Sequence, residues 1–111
     1  MISKENSEHY QWADGCDGWH LVKSKNLSVI LEEVSPGGSE IMHYHCKSEQ
    51  FFFVLDGIAT LVVDGVTHTI KPQEGFHIKS GVSHQLQNNH SKNLSFIVTS
   101  TPPSHGDRVE L

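Results

Sequence analysis

A chain of 111 residues provides for one domain with a single hydrophobic core, burying about two-thirds of its unfolded surface. The hydrophobic fraction of 36%, with nine glycines beside it, lies in the globular range and excludes a disordered segment. Net charge is −5 with histidines neutral, and the eight Lys and Arg form no basic run. A nucleic-acid or anionic-membrane surface is thereby disfavoured, and small molecules are the expected partners.

Taken in order, the chain opens on Met1-Ile2-Ser3-Lys4-Glu5-Asn6, which lacks the apolar core of a signal peptide. No apolar run reaches the length of a membrane span, so a cytoplasmic protein is expected. Residues 1–19 are polar, with Tyr10, Trp12, Cys16 and Trp19 among Gly and Asp. They read as an irregular N-terminal arm whose aromatics pack on the following domain or on a second subunit. Residues 20–101 form the domain itself, a series of short strands separated by turn signals, and residues 102–111 a C-terminal tail without usable periodicity.

Leu27 to Val34 places Leu27, Val29 and Leu31 on one face of a strand and Ile30 and Val34 on the other, ending at Ser35-Pro36-Gly37-Gly38. Ile41 to Cys46 is the next strand, followed after Lys47-Ser48 by Gln50 to Leu55, a β-rich run of the kind buried on both faces. Ile58 to Val63 and Val66 to Ile70 flank Asp64-Gly65, a strong hairpin signal. Phe76 to Ile78, His84 to Asn88 and Leu94 to Ser100 complete the series. Helical spacing is absent. Eight or nine short strands at turn spacings of about ten residues predict an all-β sandwich, jelly roll or barrel. Cys16 and Cys46, without Cys-x-x-Cys spacing, read as thiols.

The chemistry concentrates between Gly37 and Gly57. His43 and His45, at i and i+2 of an extended strand, project from the same face, so both imidazoles reach one point in space. Nine histidines in the chain make one such pair unremarkable alone. The surrounding spacing adds weight. Gly37, His43, His45 and Gly57 fall on the pattern Gly-x5-His-x-His-x3 or x4-Glu-x6-Gly, and Gly81, His84 and Asn88 on Gly-x5-Pro-x-Gly-x2-His-x3-Asn. By these two motifs the chain resembles the cupin superfamily, specifically its small single-domain members, and the resemblance implies a double-stranded β-helix, the jelly-roll barrel of that family.

Two departures matter. The second motif's first glycine falls on Gln73 and its proline on Lys79. The carboxylate of the first motif is Glu49 with x3 spacing, but the six-residue interval to Gly57 selects Gln50. Gln50 is favoured and Glu49 remains the alternative, since a slip of one residue in the strand exchanges which side chain faces inward.

The resemblance implies that His43, His45, Gln50 and His84 converge on a divalent metal. Three imidazoles and an amide oxygen suit Zn²⁺, Fe²⁺, Ni²⁺, Cu²⁺, Co²⁺ or Mn²⁺ without choosing among them. With Gln50 in place of an acid the ligands carry no negative charge, which favours an anionic or hydroxyl-rich ligand. Glu49, Glu40 and His77 are the candidate acids or bases, while His9, His20, His68, His90 and His105 are expected to be solvated. Phe52 and Val54, in register with Gln50, should line a pocket; Phe51, Phe53 and Leu55 face the other way and need cover, and the resemblance implies a homodimer. Two functional readings stand: a metal-dependent isomerase, epimerase or dioxygenase acting on a small polar or anionic metabolite, and a non-catalytic metal- or small-ligand-binding module.

Overall fold

A computed structural model describes all 111 residues. It contains eleven strands and no helix: β1 (Glu8–Ala13), β2 (Cys16–Lys23), β3 (Ser28–Val34), β4 (His43–His45), β5 (Glu49–Asp56), β6 (Ala59–Val63), β7 (Val66–Ile70), β8 (Gly75–Ile78), β9 (His84–Gln87), β10 (Leu94–Thr101) and β11 (Arg108–Glu110). They form two antiparallel sheets, one in the order β1-β2-β3-β10-β5-β8 and the other in the order β11-β4-β9-β6-β7. From β3 onward the chain passes back and forth between the sheets, with only the β6–β7 hairpin staying in one. This all-β architecture is the double-stranded β-helix, or jelly roll.

Alternation along the strands decides what lies between the sheets. On β5 the residues Gln50, Phe52 and Val54 are buried, whereas Glu49, Phe51 and Leu55 are exposed. On β10 Leu94, Phe96, Val98 and Ser100 are buried. Phe96 and Val54 from one sheet and Leu61 and Leu86 from the other are at most 2% exposed and anchor a single core. Each such side chain contributes about 1.5–3 kcal/mol through removal of apolar surface from water. No helix is long and apolar enough to cross a membrane.

The stretch expected to be irregular near the N-terminus is instead a hairpin. β1 and β2 pair antiparallel, with Tyr10 opposite Gly18 and Ala13 opposite Cys16, and add two strands to the larger sheet. Asp14-Gly15 makes its turn, with Gly15 at φ +70°, the same residue pair that marks the β6–β7 hairpin. Its inward positions are Tyr10, Trp12, Cys16, Gly18 and His20, a period of two that mixed aromatic, glycine and histidine residues disguise as irregular polarity. The tail also pairs: β11 lies against β4, with Val109 opposite Tyr44.

Both motifs contain residues whose role is to hold the fold. Asn88 is fully buried, and its side-chain amide donates to the carbonyls of Val34 and Lys92, both at 2.9 Å. Its backbone pairs with Gly37 and Gly38, tying the start of the first motif to the end of the second. Gly57 has φ +81°, and a Cβ there would run into the Asn93 carbonyl. Gly57→Ala therefore combines a left-handed backbone penalty with a collision, and is expected to destabilise the protein by about 2–4 kcal/mol in urea unfolding.

Candidate metal centre

β4 carries His43 and His45 on one face, and β9 pairs with it so that His84 lies directly opposite His43. A hydrogen bond of 2.7 Å from the Gly81 N–H to the His45 carbonyl fixes the loop that leads into β9. One donor atom from each of the three rings falls in a cluster whose members all lie within 4.8 Å of one another. Ring centroids are 4.3 Å apart for His43 and His84, 4.9 Å for His43 and His45, and 5.7 Å for His45 and His84. All three residues are at most 5% exposed.

Two of the rings have their tautomer set by the backbone. His43 Nδ1 lies 2.7 Å from the Ile41 carbonyl and His84 Nδ1 3.0 Å from the Val82 carbonyl. A carbonyl only accepts, so each Nδ1 carries the proton and, in the neutral ring, each Nε2 keeps its lone pair. His84 Nε2 and His45 Nδ1 are buried without a hydrogen-bond partner. Unpartnered nitrogen lone pairs clustered in an interior are costly unless something accepts them, and a divalent cation does.

Gln50 approaches from the other sheet. It is 7% exposed, its Nε2 donates to Ser100 Oγ at 3.0 Å, and its Oε1 has no partner. Glu49, one residue earlier, lies on the outer surface and accepts from His77 Nε2 at 3.0 Å, with both side chains at least half exposed. Glu49 and His77 thus pair with each other outside the barrel, and the structure does not bring them to the histidines. Phe52, beside Gln50 in the strand period, stands edge-on to His84 at 6.0 Å.

The family model of the cupin domain matches residues 30–100, which contain all of these residues. The chain belongs to the cupin family. Among curated proteins, this cupin is 28% identical over 80 residues to an uncharacterized protein of Methanocaldococcus jannaschii; the match covers 70% of this chain and spans 64% of the length of that relative. A sugar phosphate isomerase of the cupin superfamily from Silicibacter pomeroyi superposes with a TM-score of 0.83 at 22% identity, covering 93% of this chain and 76% of that one. The polyketide cyclase RemF from Streptomyces resistomycificus superposes with a TM-score of 0.84 at 21% identity, covering 100% of this chain and 84% of that one. At these identities the structural likeness establishes the shared fold.

A cavity of about 450 Å³ opens in front of His43, His45 and Gln50. Its walls include groups that the sequence did not single out. Glu32 follows Ile30 on the inward face of β3, and Tyr10 stands inward on β1. His105 and Arg108 reach the same cavity from the tail. Glu40, named beforehand as a candidate, lines it as well. The signal for Glu32 lay in the strand period, since it shares a face with Ile30 and Val34. His20, expected in solvent, is 7% exposed, its ring 5.0 Å from Tyr10 and 5.7 Å from His105; it lies inward because β2 is a strand of the sheet.

Burial shapes the charge of the centre. It pushes His43 down to about 3 and His45 down to about 4, and lowers His84 in the same direction. The unfolded chain takes up these protons below about pH 6.5 while the folded one does not, so this contribution to stability is lost as pH falls from there toward 4 and then 3. Desolvation acts oppositely on Glu32 and Glu40, raising them from 4.5 to about 8 and about 7, a contribution present in full below pH 4.5 and lost as pH rises from there through those values. In metal-free protein the ring signals of His43 and His45 are expected to stay in the neutral form from about pH 8 to about pH 5 in NMR titrations, with His84 titrating below an exposed histidine. Protonation of His43 or His45 near pH 6.5 would contradict the burial described here.

Proposed function

We propose that His43, His45, His84 and Gln50 hold a divalent transition metal, and that this cupin acts on a small polar or anionic metabolite bound in the adjoining cavity. The observation that carries this reading is the convergence of three buried imidazoles, two with the lone pair directed by a backbone hydrogen bond, where His43 and His45 face a cavity of about 450 Å³. The unpartnered Gln50 Oε1 supports its place as the fourth donor. An N₃O set of neutral ligands accepts Zn, Fe, Ni, Mn, Co or Cu ions alike. Such an ion, when bound, supplies a Lewis acid that draws a carbonyl, hydroxyl or carboxylate oxygen toward it. Arg108 contributes a positive charge to the same cavity, and Phe52 an apolar ring to its wall.

Isomerase- or epimerase-like chemistry is the reading we favour over dioxygenase-like chemistry, in keeping with the sugar phosphate isomerase of like fold. A non-catalytic binding module is the second reading, supported by the neutral amide where the family pattern has an acid. Protein purified without an affinity tag is expected to carry about one metal ion per chain, and His43→Ala or His84→Ala to lower that content at least tenfold in elemental analysis. Turnover of a panel of sugars, diketones and phenols that a chelator abolishes would establish the enzyme. Stoichiometric metal without turnover would leave the binding module, and metal content unaffected by both substitutions would refute the centre.

We also propose a cytoplasmic homodimer. Phe51 and Leu55 are 44% and 36% exposed on the outer face of the larger sheet, with Phe53 between them, and a second copy would cover this apolar strip. Light scattering after gel filtration should give twice the chain mass, and Phe51→Glu should return the monomer.

A further inference from the structure

β4 is a strand of three residues, and its pairing with β9 rests on one register pair, His43 with His84. Its other edge is covered by β11, where Arg108 pairs with His45, Val109 with Tyr44 and Glu110 with His43. The Leu111 N–H extends this pairing, donating to the Met42 carbonyl at 2.9 Å. Without β11, the strand that carries two of the three imidazoles would be a sheet edge with unpaired backbone groups.

The same tail reaches the turn that follows. β4 lies in the smaller sheet and β5 in the larger, so the connection through Lys47-Ser48 leaves one sheet at His45 and delivers Gln50 on the other. A connection that changes sheets has no ladder partner for its N–H groups, which must be satisfied elsewhere. Asp107 supplies the acceptors. Its carbonyl accepts from the Cys46 N–H at 3.2 Å, and its Oδ2 accepts from the Lys47 N–H at 2.9 Å and the Ser48 N–H at 2.8 Å. Three successive amides thus end on one residue about sixty positions away, and the last belongs to Ser48, which is 2% exposed. Asp107 is itself held, its N–H donating to the Ser104 carbonyl at 3.1 Å across a turn in which Gly106 has φ +75°. On either side of it, His105 and Arg108 line the cavity, and Arg108 Nη2 donates to the Ile41 carbonyl at 3.4 Å.

We propose that Asp107 is a positioning residue of the metal centre, which fixes the turn between His45 and Gln50 and thereby couples docking of residues 104–111 to metal binding. This rests on the metal-centre reading above and adds to it a residue outside both sequence motifs and outside the residues matched by the family model. Both Oδ2 contacts are charge-assisted, which makes them the stronger kind of hydrogen bond. A turn already fixed spares metal binding the cost of ordering it, so the docked segment raises metal affinity. Linkage requires the converse: a bound metal holds the segment down by the same factor. Docking also completes the cavity wall, because His105 and Arg108 are carried on the segment that Asp107 anchors.

The test measures zinc affinity by calorimetry and amide hydrogen exchange by NMR on the full chain. Asp107→Ala is expected to lower zinc affinity about tenfold or more, the range found for partners that orient metal ligands. Asp107→Asn keeps an oxygen that can accept from both N–H groups but loses the charge, and should recover most of that loss. Gly57→Ala, which destabilises the fold away from the centre, should leave zinc affinity of the folded protein within about twofold. In the unsubstituted protein, saturating zinc should slow exchange of the Lys47, Ser48 and Leu111 amides about tenfold, matching the affinity factor. This last measurement needs no variant and holds even where Asp107→Ala fails to fold. Zinc affinity within twofold in a folded Asp107→Ala overturns the proposal, as does an equal loss in Gly57→Ala, which would make general stability the cause. Exchange of the Lys47 and Ser48 amides unchanged by bound zinc overturns the coupling. Failure of the unsubstituted protein to bind zinc refutes the metal centre and the proposal with it, whereas normal zinc binding in Asp107→Ala refutes the proposal alone.

Discussion

The antiparallel pairing of β4 with β9 is the contact on which the centre depends. It sets His43 opposite His84 across one register step, and strand alternation then brings His45 to the same face. The Gly81 N–H to the His45 carbonyl closes the loop side of this pairing, and Leu86 closes the other through both the backbone and the carboxylate of Glu40. Rings held this way lose the choice of rotamer that a surface histidine has. The Nδ1 protons of His43 and His84 go to backbone carbonyls, and the unpartnered nitrogens of His45 and His84 are buried beside them.

The two sheets divide the work. The smaller one supplies the three imidazoles, and the larger one supplies Gln50, Phe52 and the Tyr10–Glu32 contact. Desolvation acts on both walls with opposite consequences, because it disfavours whichever form is charged. The imidazoles are held toward the neutral form, able to donate lone pairs, and Glu32 and Glu40 are shifted upward from the ordinary carboxylate range. One cavity thus joins a neutral nitrogen cluster to two part-buried carboxyls, with Arg108 beside them.

Within the wider fold the N-terminal hairpin is more than a cover. By adding β1 and β2 to the sheet it brings Tyr10 and Trp12 to the cavity, and the other end of the chain brings His105 and, from β11, Arg108. Much of the cavity wall that differs from the histidine side is therefore built from the two ends of the sequence, outside the residues matched by the family model.

The sequence alone determined the all-β class, the positions of most central strands and the His-x-His pair with His84 downstream, because these rest on local periodicity, turn residues and fixed spacing. It also favoured Gln50 over Glu49 as the inward residue, since a strand of Phe-Phe-Phe-Val-Leu ending at a glycine admits one register without a gap; the structure turns Gln50 in and pairs Glu49 with His77 outside. What tertiary structure alone decided is which distant residues share a wall. Glu32 is one of two adjacent acids in β3, Gly18 one of two glycines in a polar stretch, and Tyr10 one of three aromatics in an apparent arm. They become a single contact, the Tyr10 hydroxyl donating to Glu32 across Gly18, when three strands are laid side by side in one register. Pairing between strands depends on the order in which the chain crosses from sheet to sheet, and no local pattern encodes that order.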